Sequence, residues 1–469
     1  MQRGLIAIAL TAGIHVAHGE GRGAYLRDEL PATWIDEAGF SQTLPSDDSW
    51  WKNFHDPLLD SLISQGEANN FNVLMAAKRM EIARQTLNGT KAAYLPRVDF
   101  SGGWTKSRSS GAMTSSGTSA STVSYFNLGL DMSWQIDLFG KITAQARRSK
   151  ALWQASRAEY AGAMVSLCGS IATTYFQLRM YQGLKSMAER HIASQGEVVK
   201  ITQARYETGL ASKLDVAQAM TVYSSTQATL PPIETSIQTS INALAVLLGV
   251  TPDKVSARLL ENGAIPEYRM IVDAGVPMQL LRRRPDIVTS ERELAAYAAA
   301  LGVAKKEFLP TLSLNGTIGT TAHDGKDLFA GNSLTYTIAP TLTWTVFDGF
   351  ARKYAVAEAR ENMQLGIDSY NMAVVTAVQE VENAMVAYRQ ALEHIDRLNE
   401  VMEHAGESYR LSLDLYKGGL AGFYNVVNSQ MNMLQYANGL ISAKGDALVS
   451  LVRLYEALGG GWGEYLDDK

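Results

Sequence analysis

Between Phe126 and Leu138 apolar and polar residues alternate without a break: Phe126, Leu128, Leu130, Met132, Trp134, Ile136 and Leu138 against Asn127, Gly129, Asp131, Ser133, Gln135 and Asp137. A period of two is that of an extended strand with one apolar and one polar face. Leu334 to Val346 repeats it, with Leu334, Tyr336, Ile338, Leu342, Trp344 and Val346 against five threonines and Ala339. Thr311 to Thr320 and Arg97 to Trp104 are shorter versions. The long segments run to about 13 residues, somewhat beyond the 9–11 that a tilted strand needs to cross a hydrocarbon layer. Their polar faces carry Asp, Gln, Asn and Thr, as suits a side that meets water. A soluble β-sandwich is the alternative, and the length of the unbroken alternation speaks against it. Trp104, Trp134 and Trp344 fall near strand ends, where the aromatic girdle of a membrane barrel lies. Lys106 to Ser121 and Thr321 to Asn332 read as long solvated hairpin loops.

After each predicted hairpin comes a run almost free of helix breakers, Lys141 to Arg205 and then Arg352 to Leu415. Each covers about 64 residues, or roughly 95 Å as straight helix. In the second run apolar or small residues step by four and three through Val374, Val378, Val381, Met385, Tyr388, Leu392 and Ile395. The series slips at Asn399 and resumes at Met402, Ala405 and Tyr409. Such a repeat packs helix on helix as a coiled coil, whereas a long helix on a globular core wants a broader apolar stripe. Each run ends at a Tyr-x-x-Gly-Leu-Ala turn, where Gly209 and Gly419 suit the left-handed residue that closes a helix. Asp215 and Asn425 follow in the first turn of a return helix, placed to satisfy free backbone donors. The return helices end at Leu248-Gly249 and Leu458-Gly459, and Pro231-Pro232 must break or kink the first of them. A further helix precedes each hairpin, Leu58 to Ala93 and Pro285 to Glu307.

These elements occur twice at nearly one offset. Tyr206 to Val216 answers to Tyr416 to Val426 (416 − 206 = 210), Trp134 to Trp344 and Leu248-Gly249 to Leu458-Gly459, while Tyr94-Leu-Pro96 answers to Phe308-Leu-Pro310 at 214. An offset held this far marks a duplicated structural unit. The chain divides into a signal peptide (1–19), an amino-terminal girdle segment (20–57), a first repeat (58–250), a girdle segment (251–284), a second repeat (285–459) and a tail (460–469). Four strands cannot close a barrel, and open edges do not survive in lipid, where the smallest bacterial barrels have eight. Hydrogen-bond accounting alone therefore requires the missing strands to come from other copies of the chain.

Arg3 followed by the apolar run Gly4 to Val16 and by Ala17-His18-Gly19 reads as a secretory signal, with a frayed apolar terminus as the alternative. A net charge of −5 with 19% charged residues gives no support to a nucleic-acid partner. The seven histidines are scattered, there is no HExxH and the single cysteine, Cys168, lies in an apolar helical stretch as a small core residue. No catalytic, cofactor-binding or metal-ligating set is expected. Arg282-Arg283-Arg284 reads as a solvated or internally paired run rather than a phosphate or lipid-headgroup site. Met431 and Met433 invite a copper site, but methionines on a Met-rich helix more commonly pack. Asn88-Gly-Thr90 and Asn315-Gly-Thr317 match a glycosylation sequon by chance.

Trp134-Gln-Ile-Asp-Leu-Phe-Gly140, Leu281-Arg-Arg-Arg-Pro-Asp-Ile287, the two Gly-Leu-Ala turns and Leu454-Tyr-Glu-Ala-Leu-Gly-Gly-Gly-Trp462 resemble, in order and spacing, the outer-membrane factors of bacterial tripartite efflux pumps. These are the TolC and OprM group, and the chain is most similar to their NodT-type branch. The resemblance implies an α+β outer-membrane efflux protein fold: a homotrimer whose four strands per chain close a 12-stranded β-barrel, continued by a long α-helical coiled-coil barrel across the periplasm. It implies docking of a periplasmic adaptor (membrane fusion) protein at the tips, Gly209, Leu210, Ala211, Ser212, Gly419, Leu420, Ala421 and Gly422, with an inner-membrane pump beneath. The second-half coiled coil would be the one that moves to open the duct.

Two departures qualify this picture. Many relatives carry a cysteine after the signal peptide for lipid attachment, and here the only cysteine is Cys168, so the barrel in outer-membrane lipid is expected to be the anchor. Relatives also place an acidic residue just past the second tip glycine, where this chain has Ala421. Arg410, Asp414 and Lys417 then become the possible gate, against the alternative that they are solvated surface. The expected function is a passive outer-membrane exit duct for small toxic compounds. The alternatives are the duct of a one-step (type I) protein secretion system and, from another class, a trimeric coiled-coil surface stalk, which would not show the hairpin-plus-helix unit twice. An enzyme is the least supported.

Overall fold

A computed structural model describes residues 30–31, 33–35, 40–41, 49–110, 121–261, 263–278 and 283–460. The expected signal segment, Arg282 and the chain after Gly460 lie outside the described residues. The helices are α1 (Pro57–Asn69), α2 (Phe71–Ala92), α3 (Lys141–Glu207), α4 (Lys213–Gln227), α5 (Leu230–Leu247), α6 (Asp253–Leu259), α7 (Pro285–Lys306), α8 (Ala351–Lys417) and α9 (Phe423–Ala457). The strands are β1 (Arg97–Arg108), β2 (Thr122–Ile136), β3 (Thr311–Ala322) and β4 (Leu334–Thr343). The duplication is visible in the element bounds: α3 and α8 have 67 residues each and start and end 210 positions apart (351 − 141 and 417 − 207). Helices α2 and α7 end, and β1 and β3 begin, 214 apart (306 − 92 and 311 − 97).

The four strands form one antiparallel sheet in the order β1-β2-β3-β4, so the two hairpins join through β2 and β3, with Ile136 opposite Leu312. Opposed residues share a face. One face collects Val98, Phe100, Leu130, Leu314, Ile318, Tyr336, Ile338 and Leu342, most of them exposed to more than half their area. The other collects Asp99, Ser101, Asn127, Asp131, Thr317 and Thr337. A bare apolar face of this extent marks an interaction surface, and its pairing with a polar face is the pattern expected of a membrane strand. Gly129 and Gly319 stand opposite each other on the polar side. A Cβ on Gly319 would lie 2.4 Å from the Leu128 carbonyl oxygen, a separation real side chains never show. Glycine here lets the two hairpins close together. Pro340 sits on β4, the last strand of the sheet within one chain.

Several boundaries differ from expectation. β1 runs four residues past Trp104, which therefore lies inside the strand rather than at its end, because Thr105 to Arg108 still find partners in Thr122 to Tyr125. β2 begins at Thr122 and stops at Ile136, and β4 stops at Thr343, leaving Trp344 to Val346 beyond the ladder. The single helix expected over Leu58 to Ala93 breaks at Asn70, whose backbone is extended and whose side chain caps α2 by accepting from the N–H groups of Asn72 and Val73. Pro231-Pro232 separates α4 from α5 as expected, with Pro at the start of the restarted helix.

The core lies where the girdle crosses the helices. Trp50, Phe54, Tyr175, Phe176, Leu244, Met385 and Leu451 are buried together, and Trp50 stacks on Tyr455 at 5.0 Å. The residues Val374, Val381, Met385, Tyr388 and Ile395 of the coiled-coil series are buried, and at the slip Leu398, not Asn399, packs on α9. Tyr388 ties α8 to the girdle, accepting from the Met270 N–H and donating to the Tyr268 carbonyl. Girdle segments join by a parallel bridge between Ser41 and Asp273. Cys168 is a buried free thiol, pushed up in pKa by burial and by Glu67. Met431 is exposed, so the packing expected of it is not made within one chain.

Candidate functional site at the helical tip

Both long helices end in the same hydrogen-bonded motif. Gly209 and Gly419 adopt φ of 74° and 72°, the left-handed conformation glycine takes without a Cβ penalty. The Gly209 N–H donates to the Tyr206 carbonyl at 3.0 Å and the Leu210 N–H to Arg205 at 2.7 Å. In the second repeat Gly419 donates to Tyr416 at 3.0 Å and Leu420 to Leu415 at 2.9 Å. This is the Schellman pattern, which satisfies carbonyls that a helix end leaves open. It leaves Leu210 and Leu420 projecting, both strongly exposed, at the end of about 100 Å of helix.

The return helices start differently. The Ser212 hydroxyl accepts from the Asp215 N–H at 3.2 Å while Asp215 accepts from the Ser212 N–H at 3.0 Å, a capping box. At the second tip Gly422 has no side-chain oxygen, and the Asn425 N–H bonds the Gly422 carbonyl at 3.2 Å instead. The second tip therefore lacks the hydroxyl arm of a capping box, and among the described residues the Asn425 side chain makes no capping bond. Ala211 and Ala421 are half-buried and Ser212 and Gly422 exposed.

One residue that the repeat comparison passed over connects the two tips. Arg205, in the last turn of α3, donates from Nη1 to the Lys417 carbonyl at 2.9 Å and lies over the Tyr416 ring at 4.9 Å. It places a cation at the carbonyl end of α8, where the helix dipole favours one, and adds a cation–π contact. Tyr416 in turn packs on Phe423 at 5.0 Å, within a small apolar cluster with Val198, Ala219 and Val426. The repeat counterpart of Arg205 is Leu415 (205 + 210), so self-comparison gives no hint of the clamp. Arg410, Asp414 and Lys417 are exposed and form no ion pair among the described residues.

At the other end of the helices the tryptophans make matched contacts. The Trp134 indole N–H donates to the Tyr94 carbonyl at 2.9 Å and that of Trp344 to the Phe308 carbonyl at 3.0 Å. Each ties the foot of a hairpin to the end of the helix that precedes it. Trp104 lies toward the loop end, its ring 6.4 Å from that of Phe126.

Midway along, Arg284 is buried and bonds Asp286, Glu380 and the Ala457 carbonyl, in agreement with the paired reading of the arginine run for this residue. Beside it a cavity of about 620 Å³ is lined by Ser166, Arg284, Asn383, Arg453 and Glu456. Burial pushes the Glu456 carboxyl up to about 7, against the opposing pull of Arg453. Its signal in the sequence was an acid inside the apolar run Leu451 to Leu458.

A family model described as "Outer membrane efflux protein" matches residues 62–250 and 276–460. The toluene efflux pump outer membrane protein TtgC of Pseudomonas putida is 28% identical over 448 residues, which cover 94% of this chain and 92% of that protein. Nodulation protein T of Rhizobium leguminosarum bv. viciae is 28% identical over 414 residues, 88% of this chain and 84% of its own. Among solved structures the outer-membrane channel OprN superposes with a TM-score of 0.87 at 27% identity, covering 95% of this chain and 99% of that one. The outer membrane protein VceC of Vibrio cholerae does so at 0.82 and 25% identity, over 89% of this chain and 100% of its own.

Proposed function

This chain belongs to the outer membrane efflux protein family, and from that premise we propose that three copies close one barrel over a continuous helical duct whose tips receive a periplasmic adaptor. The chain is an outer-membrane exit duct of an efflux system. The observation that carries the finer reading is the sheet: one face bare and apolar, the other lined by Asp, Asn, Ser and Thr, and β1 and β4 each with an unpaired edge. Lipid tolerates such a sheet only when its edges are paired and its polar side encloses water. Three copies supply twelve strands, an even number within the range of such barrels.

The duct does no chemistry on its cargo. Its polar lumen replaces bulk water for a solute crossing the membrane, and an inner-membrane pump drives the movement. Leu210 and Leu420 are the apolar contacts offered to the adaptor, and Trp104, Trp134 and Trp344 lie in the two interfacial belts. Relatives carry names of toluene and antibiotic efflux components, which supports small toxic compounds over secreted proteins as cargo. The test is deletion in a strain without a redundant duct. Cells should become sensitive to solvents and antibiotics and lose energised export of a fluorescent substrate. Replacement of both Leu210 and Leu420 by Asp should do the same while leaving the barrel in the outer membrane. Undiminished export in the deletion strain would sink the reading.

A further inference from the structure

The duplication allows each seam inside the chain to be compared with the free edge that corresponds to it. Inside the chain, the start of α3 meets the end of α7. The Lys306 ammonium donates to the Phe139 and Gly140 carbonyls at 2.8 and 2.9 Å, and Lys141 pairs with Glu307 at 2.8 Å. This joint is ionic and needs room: a Cβ on Gly140 would lie 2.8 Å from the Lys306 nitrogen. The same positions on the free edges are entirely different. Gly140 and Lys141 correspond to Phe350 and Ala351, and Lys306 and Glu307 to Ala92 and Ala93, at the offsets of 210 and 214. All four change together, from a small residue and three charges to a large ring and three alanines.

The change is not made for the comfort of the single chain. Phe350 keeps the left-handed backbone of its glycine counterpart, with φ 70° against 72°, a conformation in which a bulky side chain is strained. Its ring is exposed, and Ala92, Ala93 and Ala351 are exposed as well. The pattern continues down the helices. On α3 a stripe stepping by three and four runs from Lys141 to Val165, which packs on Val288 of α7. Within it Ala144, Ala155 and Val165 are 6%, 4% and 8% exposed, whereas their counterparts on α8, Tyr354, Leu365 and Val375, are 66%, 57% and 49% exposed. A surface that is covered in one repeat stands open in the other.

We propose that Phe350 is the plug of an apolar joint between copies, seated against Ala92 and Ala93 of the neighbouring copy. The exchange of an ionic joint for an apolar one distinguishes the seam inside the chain from the seam between chains. A ring at the position of Gly140 would strike the Lys306 ammonium, and the Glu307 carboxylate that pairs with Lys141 is replaced by Ala93 at the other seam, so the two joints cannot be exchanged. The same offsets set the strand register between copies. Ile136 opposite Leu312 becomes Val346 opposite Val98 of the neighbouring copy, and Trp134 opposite Leu314 becomes Trp344 opposite Phe100 of the neighbouring copy.

The inference rests on the proposed closure of several copies into one barrel, and the experiment separates the two. The mass of the wild-type particle in detergent tests closure by itself. Joint contact is tested with Ala92→Cys and Phe350→Cys together, in a Cys168→Ala background, treated with a short bismaleimide. Covalent dimers and trimers are expected from the double variant and from neither single one. Phe350→Gly removes both plug and strain. The fraction of trimer surviving mild detergent heating should fall by about tenfold, the sign expected of a lost buried ring. Strain relief at a free surface residue would leave it unchanged or raise it. The variant with Ala92→Lys, Ala93→Glu, Phe350→Gly and Ala351→Lys rebuilds the ionic joint between copies and should recover most of the loss. A trimeric particle that yields no cross-link, or a Phe350→Gly trimer as robust as wild type, overturns the joint while leaving closure intact. A monomeric wild-type particle overturns both.

Discussion

Arg205 and Glu456 show how much single side chains carry in this chain. The Arg205 guanidinium holds the end of α8 through one charge-assisted hydrogen bond and one ring contact. Arg205→Ala should loosen the second tip by about 1–2 kcal/mol, read as roughly tenfold faster amide exchange over Lys417 to Gly422. Arg205→Lys should rescue little, since an ammonium lacks the planar fork that bonds and stacks at once. Unaltered exchange in Arg205→Ala would remove the clamp. Glu456 makes a statement about pH. Its folded pKa of about 7 lies above the ordinary 4.5, so between those values the folded chain holds a proton that the unfolded chain releases. Stability therefore falls as pH rises through that window, by on the order of 3 kcal/mol in all. Glu456→Gln should flatten the profile, so that its thermal midpoint exceeds that of the wild type at pH 8 and matches it near pH 5. A parallel shift at both pH values would dismiss the proton.

At the scale of elements, hairpins and helices are joined by repeated devices whose loss should be graded. Trp134→Phe and Trp344→Phe each keep a ring and delete one indole N–H bond to the preceding helix end. Each should cost about 1 kcal/mol, and the two should add, since they belong to different repeats; heat resistance of the assembled particle is the measure. Gly319→Val is a harsher test. Its side chain would strike the Leu128 carbonyl, which is backbone and cannot yield. The variant should reach the periplasm yet fail to insert, as judged by outer-membrane fractionation. The strand faces and the long helices were legible because period two and period four-and-three survive without tertiary context. The break at Asn70 was not, because the apolar spacing runs on through it; three asparagines at 69, 70 and 72 offer several cap positions, and the Asn70 amide, which caps α2, also donates to the distant Leu247 carbonyl.

For the molecule as a whole, the proposed assembly makes one chain a wall section whose edges are β1 and β4. Purified particles should have the mass of three chains, resist mild detergent and migrate faster as unfolded chains after boiling. A single-chain particle that stays soluble without detergent would exclude the barrel. The proposed assembly would also give partners to residues that look misplaced in isolation, such as Tyr354, Leu365 and Met431, all apolar and exposed in the single chain.

Periodicity, the two offsets and the tip glycines were fixed by the order of residues alone, because strand alternation, helical stripes and left-handed turns are local consequences of covalent geometry. The same order implied that one chain holds too few strands to close a barrel, since counting strands needs no coordinates. The tertiary structure alone decided which carbonyl Arg205 reaches, that the Glu456 carboxyl is half-buried and raised in pKa, and that Phe350 takes a left-handed backbone. Each of these depends on what lies across a seam from residues more than twenty positions away or on a backbone angle, and neither distance nor φ is written in a one-dimensional pattern.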